Sequence, residues 1–361
     1  MVCATRPTRT SKEGSSLEKQ RKDDIILELK DVKVHFKLDE GLLKAVDGVS
    51  FAIHKGRTLG IVGESGCGKS VTSNAIFKIL PKYGLIGGDI LLYEKDHKRL
   101  ETPINIAKLN PTGPEIRSIR GGNISMIFQE PMKAFSPLHT IGNQIIEAIQ
   151  LHIEPDPAKA RAIAIEALRS VDISNPEQRI DEYPHQLSGG MRQRAMIAMA
   201  LSCKPSILIA DEPTTALDVT VQAQVLDLIN NLKRENDTSV IFITHDLGVI
   251  AEMSDDVVVM YLGKVVEYCD VDTLFYHPMH PYTRALLKSI PTEDKIHKGR
   301  FESIRGTVPY PINLPVECGF CSRCDEAEKG VCDKGEPPMV EVEPGHFVRC
   351  FHAGKGKEAQ A

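Results

Sequence analysis

"TLGIVGESGCGKSVTSNAIFKIL", residues 58–80, decides the fold. A five-residue apolar run, Thr58 to Val62, enters a glycine-rich turn, and a helix-patterned segment leaves it and stops at Pro81. The turn, Gly63-Glu64-Ser65-Gly66-Cys67-Gly68-Lys69-Ser70, fits G-x-x-x-x-G-K-[ST] and lies between strand and helix, as that motif requires. Its glycines let backbone N–H groups curl around phosphate oxygens, and the helix beginning at Lys69, Ser70 and Val71 adds its positive dipole end. Lys69 is expected to reach the β- and γ-phosphates of a nucleotide and Ser70 to hold Mg²⁺. Cys67 reads as a small tolerated side chain within the loop.

Such a loop needs an acidic partner for the metal. "ILIADEP" supplies it: an apolar strand delivers Asp211 and then Glu212. Asp211 is expected to help hold Mg²⁺, and Glu212 to orient or deprotonate an attacking water. The carboxyl ends of strands are where open α/β sheets bind ligands. "SVIFIT" ends the same way at His245, a candidate contact to the γ-phosphate.

The rest of the chain supports an α/β reading. Two alternating strands are predicted over "IILELKDVKVHF" and "GLLKAVDGVSFAI", and another over "GDILLYEKD". The Pro- and Asn-rich stretch from His97 to Pro114 reads as a surface loop. "ISMIFQ" is a strand, and residues 141–171 are mostly helical by their apolar spacing. Short all-apolar strands then alternate with helices up to about Leu262, which implies a parallel sheet covered on both faces.

The 361 residues, 42% hydrophobic and 26% charged, allow a large domain with a satellite. A net charge of −5 gives no bulk attraction to nucleic acid. No apolar run reaches membrane-spanning length. Residues 1–24 are polar, lack a secretory h-region and read as a disordered tail, so a reducing compartment is expected.

"LSGGMRQR", Leu187 to Arg194, carries a resemblance. From about Ile25 to Met260 the chain resembles the ATP-binding subunits of ABC transporters, because five motifs follow in that family's order. They are "GESGCGKS", "FQEP" with Gln129, "LSGGMRQR", "ILIADEP", and "TALD" with Asp218, followed by His245. The implied fold is a P-loop NTPase with a RecA-like core, an antiparallel β subdomain and a helical subdomain at about residues 130–186, all within residues 25–286. The resemblance implies that Ser188, Gly189 and Gly190 bind the γ-phosphate of ATP held by a partner ATPase, a related but distinct chain. It implies that Gln129 sits near Mg²⁺ and the attacking water, and that Asp218 lies at the subunit junction. Phe36, in "VHF", is the candidate ring for stacking on adenine, with an ordinary core phenylalanine as the alternative.

Finer resemblance points to the oligopeptide/dipeptide importer branch, through "DEPTTALDVTVQAQVLDLI" and "HPMHPYTRALLKSIP". It implies a peripheral ATPase on the cytoplasmic face of the membrane, working with two permease subunits and an extracytoplasmic substrate-binding protein. Peptides are the expected cargo, with sugars or nickel complexes as alternatives. A soluble ABC ATPase acting on nucleic acid or ribosomes is a separate class, which the acidic charge disfavours.

The remaining residues, 287–361, form a small extension with five of the nine cysteines. The branch pattern C-x-F-x-x-R-C is met by Cys318, Phe320, Arg323 and Cys324, with Cys332 and Cys350 following. Thiolates are soft ligands that select iron–sulfur clusters or zinc. The resemblance implies a [4Fe–4S] cluster on Cys318, Cys324, Cys332 and Cys350. Cys321 departs from the pattern and leaves open which four ligate.

Overall fold

A computed structural model describes residues 24–130, 134–215, 218–290 and 304–353; the polar tail lies outside the described residues. In chain order the elements begin with β1 (Ile25–Leu38), β2 (Gly41–His54), β3 (Thr58–Val62), α1 (Lys69–Ile76), β4 (Gly84–Lys95), β5 (Lys98–Asn105), α2 (Pro114–Ile119) and β6 (Ile124–Ile127). Next come α3 (Ile141–His152), α4 (Pro157–Ser170), α5 (Pro176–Arg179), α6 (Gly189–Leu201), β7 (Ile207–Asp211), α7 (Val219–Glu235), β8 (Ser239–Thr244) and α8 (Leu247–Met253). The last are β9 (Asp256–Tyr261), β10 (Lys264–Asp270), α9 (Val271–Tyr276), α10 (Pro281–Lys288), β11 (Val340–Glu343) and β12 (His346–Val348).

Two sheets divide the strands. A four-stranded antiparallel sheet runs β2-β1-β4-β5, and an eight-stranded sheet runs β11-β12-β10-β9-β3-β8-β7-β6. The second is parallel from β9 to β6. Every residue of β3, β6, β7 and β8 is buried, which is why these strands read as unbroken apolar runs and not as alternation. Each buried Ile or Val there contributes about 1.5–3 kcal/mol of hydrophobic stabilisation.

The helical subdomain follows its local signals. Thr140 caps α3 by accepting the Asn143 N–H, and Asp156 caps α4 with Pro157 in the first turn. Ile141, Ile145 and Ile149 of α3 and Ala160, Ala164 and Leu168 of α4 are buried in one cluster, each set on one helical face.

Two expectations are corrected. The stretch after His97 is not a loop: β5 pairs antiparallel with β4, turned at Asp96 and His97. Both take positive φ (52° and 58°), a primed turn built without glycine, so its usual signature is missing. The central sheet is not purely parallel, because β10 folds back on β9 through Leu262 and Gly263. Phe36 matches the core alternative: it is 8% exposed and lies edge-on to Tyr83 at 5.8 Å between centroids.

The C-terminal segment joins the core. β12 pairs with β10, placing Phe347 on Tyr268 at 5.9 Å. His346 and Glu267, both buried, meet at 2.7 Å, and Glu267 also accepts the N–H groups of Met279 (2.7 Å) and His280 (3.1 Å). Phe320 stands against Tyr261, Tyr282 and His280.

His280 is 2% exposed, and its Nδ1 accepts the Tyr282 N–H at 3.0 Å, so this nitrogen carries a lone pair. Burial pushes its pKa from 6.5 down to about 4. Between those values the unfolded chain takes up a proton that the folded chain refuses, so stability falls as pH drops from about 6.5 towards 4. The full loss is about 3 kcal/mol, of which about 2 kcal/mol falls between pH 7 and pH 5. Glu267, whose pKa is lowered despite its burial because His346 and backbone N–H groups hold its charge, adds loss at still lower pH. Denaturant titrations at pH 7 and 5 are expected to show this drop in wild type and a smaller one in His280→Gln; equal drops would contradict the assignment.

Candidate functional site

The phosphate-binding turn is shaped by its glycines. Gly63 (φ 158°) and Gly68 (φ 103°) permit close backbone approach: a Cβ at Gly63 would lie 2.2 Å from the Met260 carbonyl oxygen, and one at Gly68 2.4 Å from that of Ala45. No other residue fits either position. The turn is closed by the Cys67 N–H donating to the Glu64 carbonyl at 3.2 Å. Lys69, 5% exposed, donates through Nζ to the carbonyls of Gly63 (2.6 Å) and Glu64 (3.3 Å). Burial pushes the Cys67 thiol up, so this side chain is a protonated filler inside the loop.

Parallel register brings the other groups to the same sheet edge. Val62 pairs with Thr244, and Asp211 with Ile243, so the turn after β3, the acidic pair after β7 and His245 after β8 emerge together. Ser70 Oγ donates to Asp211 Oδ1 at 3.1 Å. Burial raises the Asp211 pKa first of all, and the Ser70 hydroxyl and Lys69 oppose that rise. A buried carboxylate and a hydroxyl in contact are a hard-oxygen pair suited to Mg²⁺.

Glu212 is the hub of the polar network. Gln129 Nε2 donates to its Oε2 at 2.8 Å and Thr215 Oγ1 to the same oxygen at 3.0 Å, while His245 Nδ1 stands 3.4 Å from Oε1. Its backbone takes φ 47°, a left-handed conformation that costs a non-glycine residue energy and marks a constrained site. The Glu212 N–H is anchored on the Ile243 carbonyl at 2.9 Å. Thr215 is a member of this network that the sequence did not single out.

Ser188, Gly189, Gly190 and Asp218 stand apart from it. Ser188 caps α6 by accepting the Met191 N–H at 3.3 Å, and Asp218 caps α7 by accepting the Val221 N–H at 3.0 Å. Among the described residues no hydrogen bond or ion pair joins them to the phosphate loop or to Asp211 and Glu212. Ser188 and Gly189 are exposed, and a Cβ at Gly189 would meet nothing within 4 Å, so the α6 N-terminus presents open N–H groups to solvent.

The C-terminal thiols share one lobe. Cys318 N–H donates to the Cys332 carbonyl at 2.9 Å, and Cys321 and Cys324 follow in consecutive turns. Burial pushes the Cys318 and Cys324 thiols up to about 11, with neighbouring thiols adding to the rise, and raises Cys321 and Cys350 also. Among the described residues no group of three or more His, Cys, Asp or Glu side chains is disposed to hold a metal ion. The expected ligand set of Cys318, Cys324, Cys332 and Cys350, or Cys321 in substitution, is therefore not gathered into a coordinating group among the described residues, although all five thiols lie in this lobe.

Two further residues reach the phosphate loop from beyond β9. Tyr282 Oη accepts the Glu64 N–H at 2.9 Å, and Arg323 forms a bidentate ion pair with the Glu64 carboxylate. Sequence reading counted Arg323 only as part of the cysteine pattern.

Comparison with known proteins agrees with this geometry. The ABC transporter family model matches residues 46–215, and the model for the oligopeptide/dipeptide transporter C-terminal region matches residues 266–332. The chain is 46% identical to the probable peptide ABC transporter ATP-binding protein y4tR of Sinorhizobium fredii, over 94% of this chain and 98% of that one. It is 47% identical to the oligopeptide transport ATP-binding protein AppD of Bacillus subtilis, over 90% and 96% of the two chains. A dimeric, post-hydrolysis structure of the ATP-binding cassette MJ0796 bound to ADP and Pi superposes with a TM-score of 0.58 at 27% identity, covering 68% of this chain and 99% of that one. The chain belongs to the family of ABC transporter ATP-binding proteins.

Replacing Glu212 by Gln keeps the size and most hydrogen bonds of the hub but removes its negative charge. ATP turnover with a competent partner is expected to fall by about 10²–10⁴-fold with nucleotide affinity nearly unchanged. Near-normal turnover would remove Glu212 from its role.

Proposed function

We propose that this member of the family hydrolyses ATP to drive import of peptides through a membrane transporter. Lys69 and the loop N–H groups bind the phosphates, Ser70 and Asp211 hold Mg²⁺ with Gln129 beside it, and Glu212 polarises the attacking water, with His245 at the γ-phosphate. Mg²⁺ supplies charge neutralisation at the phosphate oxygens when bound. The observation that carries the reading is the gathering of these six side chains at one sheet edge while the Ser188 helix tip faces outward. That tip suits a phosphate held by a second subunit, and Asp218, capping the next helix, lies at the same junction. Two ATP molecules thus act as differential ligands for a closed pair of ATPases, and hydrolysis releases it.

Among the described residues no helix is long and apolar enough to cross a membrane. In the proposed importer separate permease subunits carry the cargo and the ATPase docks on them at the cytoplasmic face, a reading supported by the relatives' names as transport ATP-binding proteins. Leu138 (80% exposed) and Leu151 (72%), both in the helical subdomain, support docking there. The relatives' peptide names support the substrate class, which the ATPase itself never touches.

The soft-metal reading of the extension rests on donor chemistry alone, namely five thiols within one lobe. Loading would require their deprotonation and a shift of the turns that carry them, and no step of the ATP cycle runs through it. Anaerobic purification that yields stoichiometric iron and sulfide supports a [4Fe–4S] cluster, stoichiometric zinc supports the alternative, and metal-free protein ends both.

The assembled transporter, reconstituted with its two permeases and second ATPase, is expected to hydrolyse ATP several-fold faster with a peptide-loaded binding protein than with an empty one. Stimulation by sugar- or nickel-loaded protein instead would reassign the cargo. Recovery of the chain on ribosomes or DNA, without polytopic partners, would contradict the transport reading.

A further inference from the structure

Two side chains of the cysteine turn, Phe320 and Arg323, are spent on the ATPase core. Phe320, 3% exposed, fills the aromatic pocket of Tyr261, Tyr282 and His280. Arg323 has a side chain only 4% exposed. Its two terminal nitrogens fork onto the carboxylate of Glu64 at 2.7 and 3.0 Å, and its Nε donates to the Arg305 carbonyl at 2.7 Å. The guanidinium also lies over the rings of Tyr261 and Phe320 at 5.8 and 5.9 Å.

Glu64 is the second residue of the phosphate loop, and it is held twice from the C-terminal part of the chain. Arg323 takes its carboxylate, and the Tyr282 hydroxyl accepts its N–H at 2.9 Å. The Glu64 carbonyl meanwhile faces Lys69 Nζ. A phosphate-binding loop works by positive potential and aligned N–H groups. An unpaired carboxylate within it would repel a triphosphate and leave the loop free to deform. A buried, bidentate guanidinium is the side chain best suited to neutralise and fix it.

We propose that Arg323 and Tyr282 are positioning residues of the nucleotide site: they neutralise and anchor Glu64, so that triphosphate affinity depends on docking of the cysteine turn against the phosphate loop. The inference rests on the ATP reading of that loop. It assigns the extension a part in nucleotide binding whether or not its thiols carry a metal.

The test is titration of the full-length chain with fluorescent ATP and ADP analogues, alongside thermal melts. Wild type must bind; failure to bind would sink the ATP reading and this inference with it. Arg323→Met is expected to weaken the ATP analogue roughly tenfold or more, with a smaller loss for ADP, because the freed carboxylate acts on phosphate charge. Adding Glu64→Gln to Arg323→Met should restore affinity to within about threefold of wild type, since the repelling charge is gone. Should Arg323→Met not fold, Arg323→Lys and Tyr282→Phe carry the test. The first keeps the charge but loses the fork, the second keeps the ring but loses the acceptor, and each is expected to weaken ATP binding by about three- to tenfold. Wild-type affinity in the folded variants, equal losses for ATP and ADP, or no recovery in the double variant would each overturn the proposal.

Discussion

Parallel pairing of β3, β8 and β7 is the constraint from which the site follows. Because Val62 lies beside Thr244 and Asp211 beside Ile243, three consecutive strands end at the same level, and whatever follows them is delivered to one edge. The phosphate loop, the acidic pair and His245 need no further alignment. A one-residue slip in any of these pairings would turn every side chain of that strand to the opposite face and strand its polar group away from the others. The fully buried strands resist such slips, so the apolar residues of the sheet enforce the geometry of the polar ones.

Around that edge the chain sorts its functional groups by what holds them. Lys69 and Asp211 are buried, and Ser70 is tied to Asp211 by a hydrogen bond, so these groups have little freedom to rearrange. Glu212 is held by a left-handed backbone and by Gln129, Thr215 and His245. Ser188 and Asp218 cap their own helices and are exposed. On the proposed function, a site with one part gathered at the sheet edge and another exposed is half of a two-chain assembly. The C-terminal extension belongs to the gathered part, since β12 extends the central sheet and Arg323 reaches the phosphate loop.

Much of this was legible in the sequence, and the reasons are local. The strand–loop–helix at residues 58–76, the acidic pair and the helix cap at Ser188 each sit in a contiguous stretch whose residue types dictate its conformation. Phe36 stayed open between a stacking ring and a core ring because its burial depends on Tyr83 and Gly84, far along the chain. β5 and β10 were missed because their turns use Asp96-His97 and Leu262-Gly263, without the Asn-Gly or Asp-Gly signals. Arg323 was visible only as a letter in a cysteine pattern. Its partner lies 259 residues away, and no spacing rule links the two. Its charge and its place in an apolar, aromatic setting were the only signals that it would need a buried acid.

The central claim is that triphosphate is completed in trans, by the phosphate loop of one ATPase and the Ser188 tip of its neighbour. The most direct measurement is the structure of the assembled transporter carrying Glu212→Gln with Mg²⁺ and ATP. The account predicts Ser188 Oγ and the N–H groups of Gly189 and Gly190 at about 3 Å from the γ-phosphate bound by the second ATPase. Ser188 remote from every phosphate, in a complex with both nucleotides bound, would contradict it.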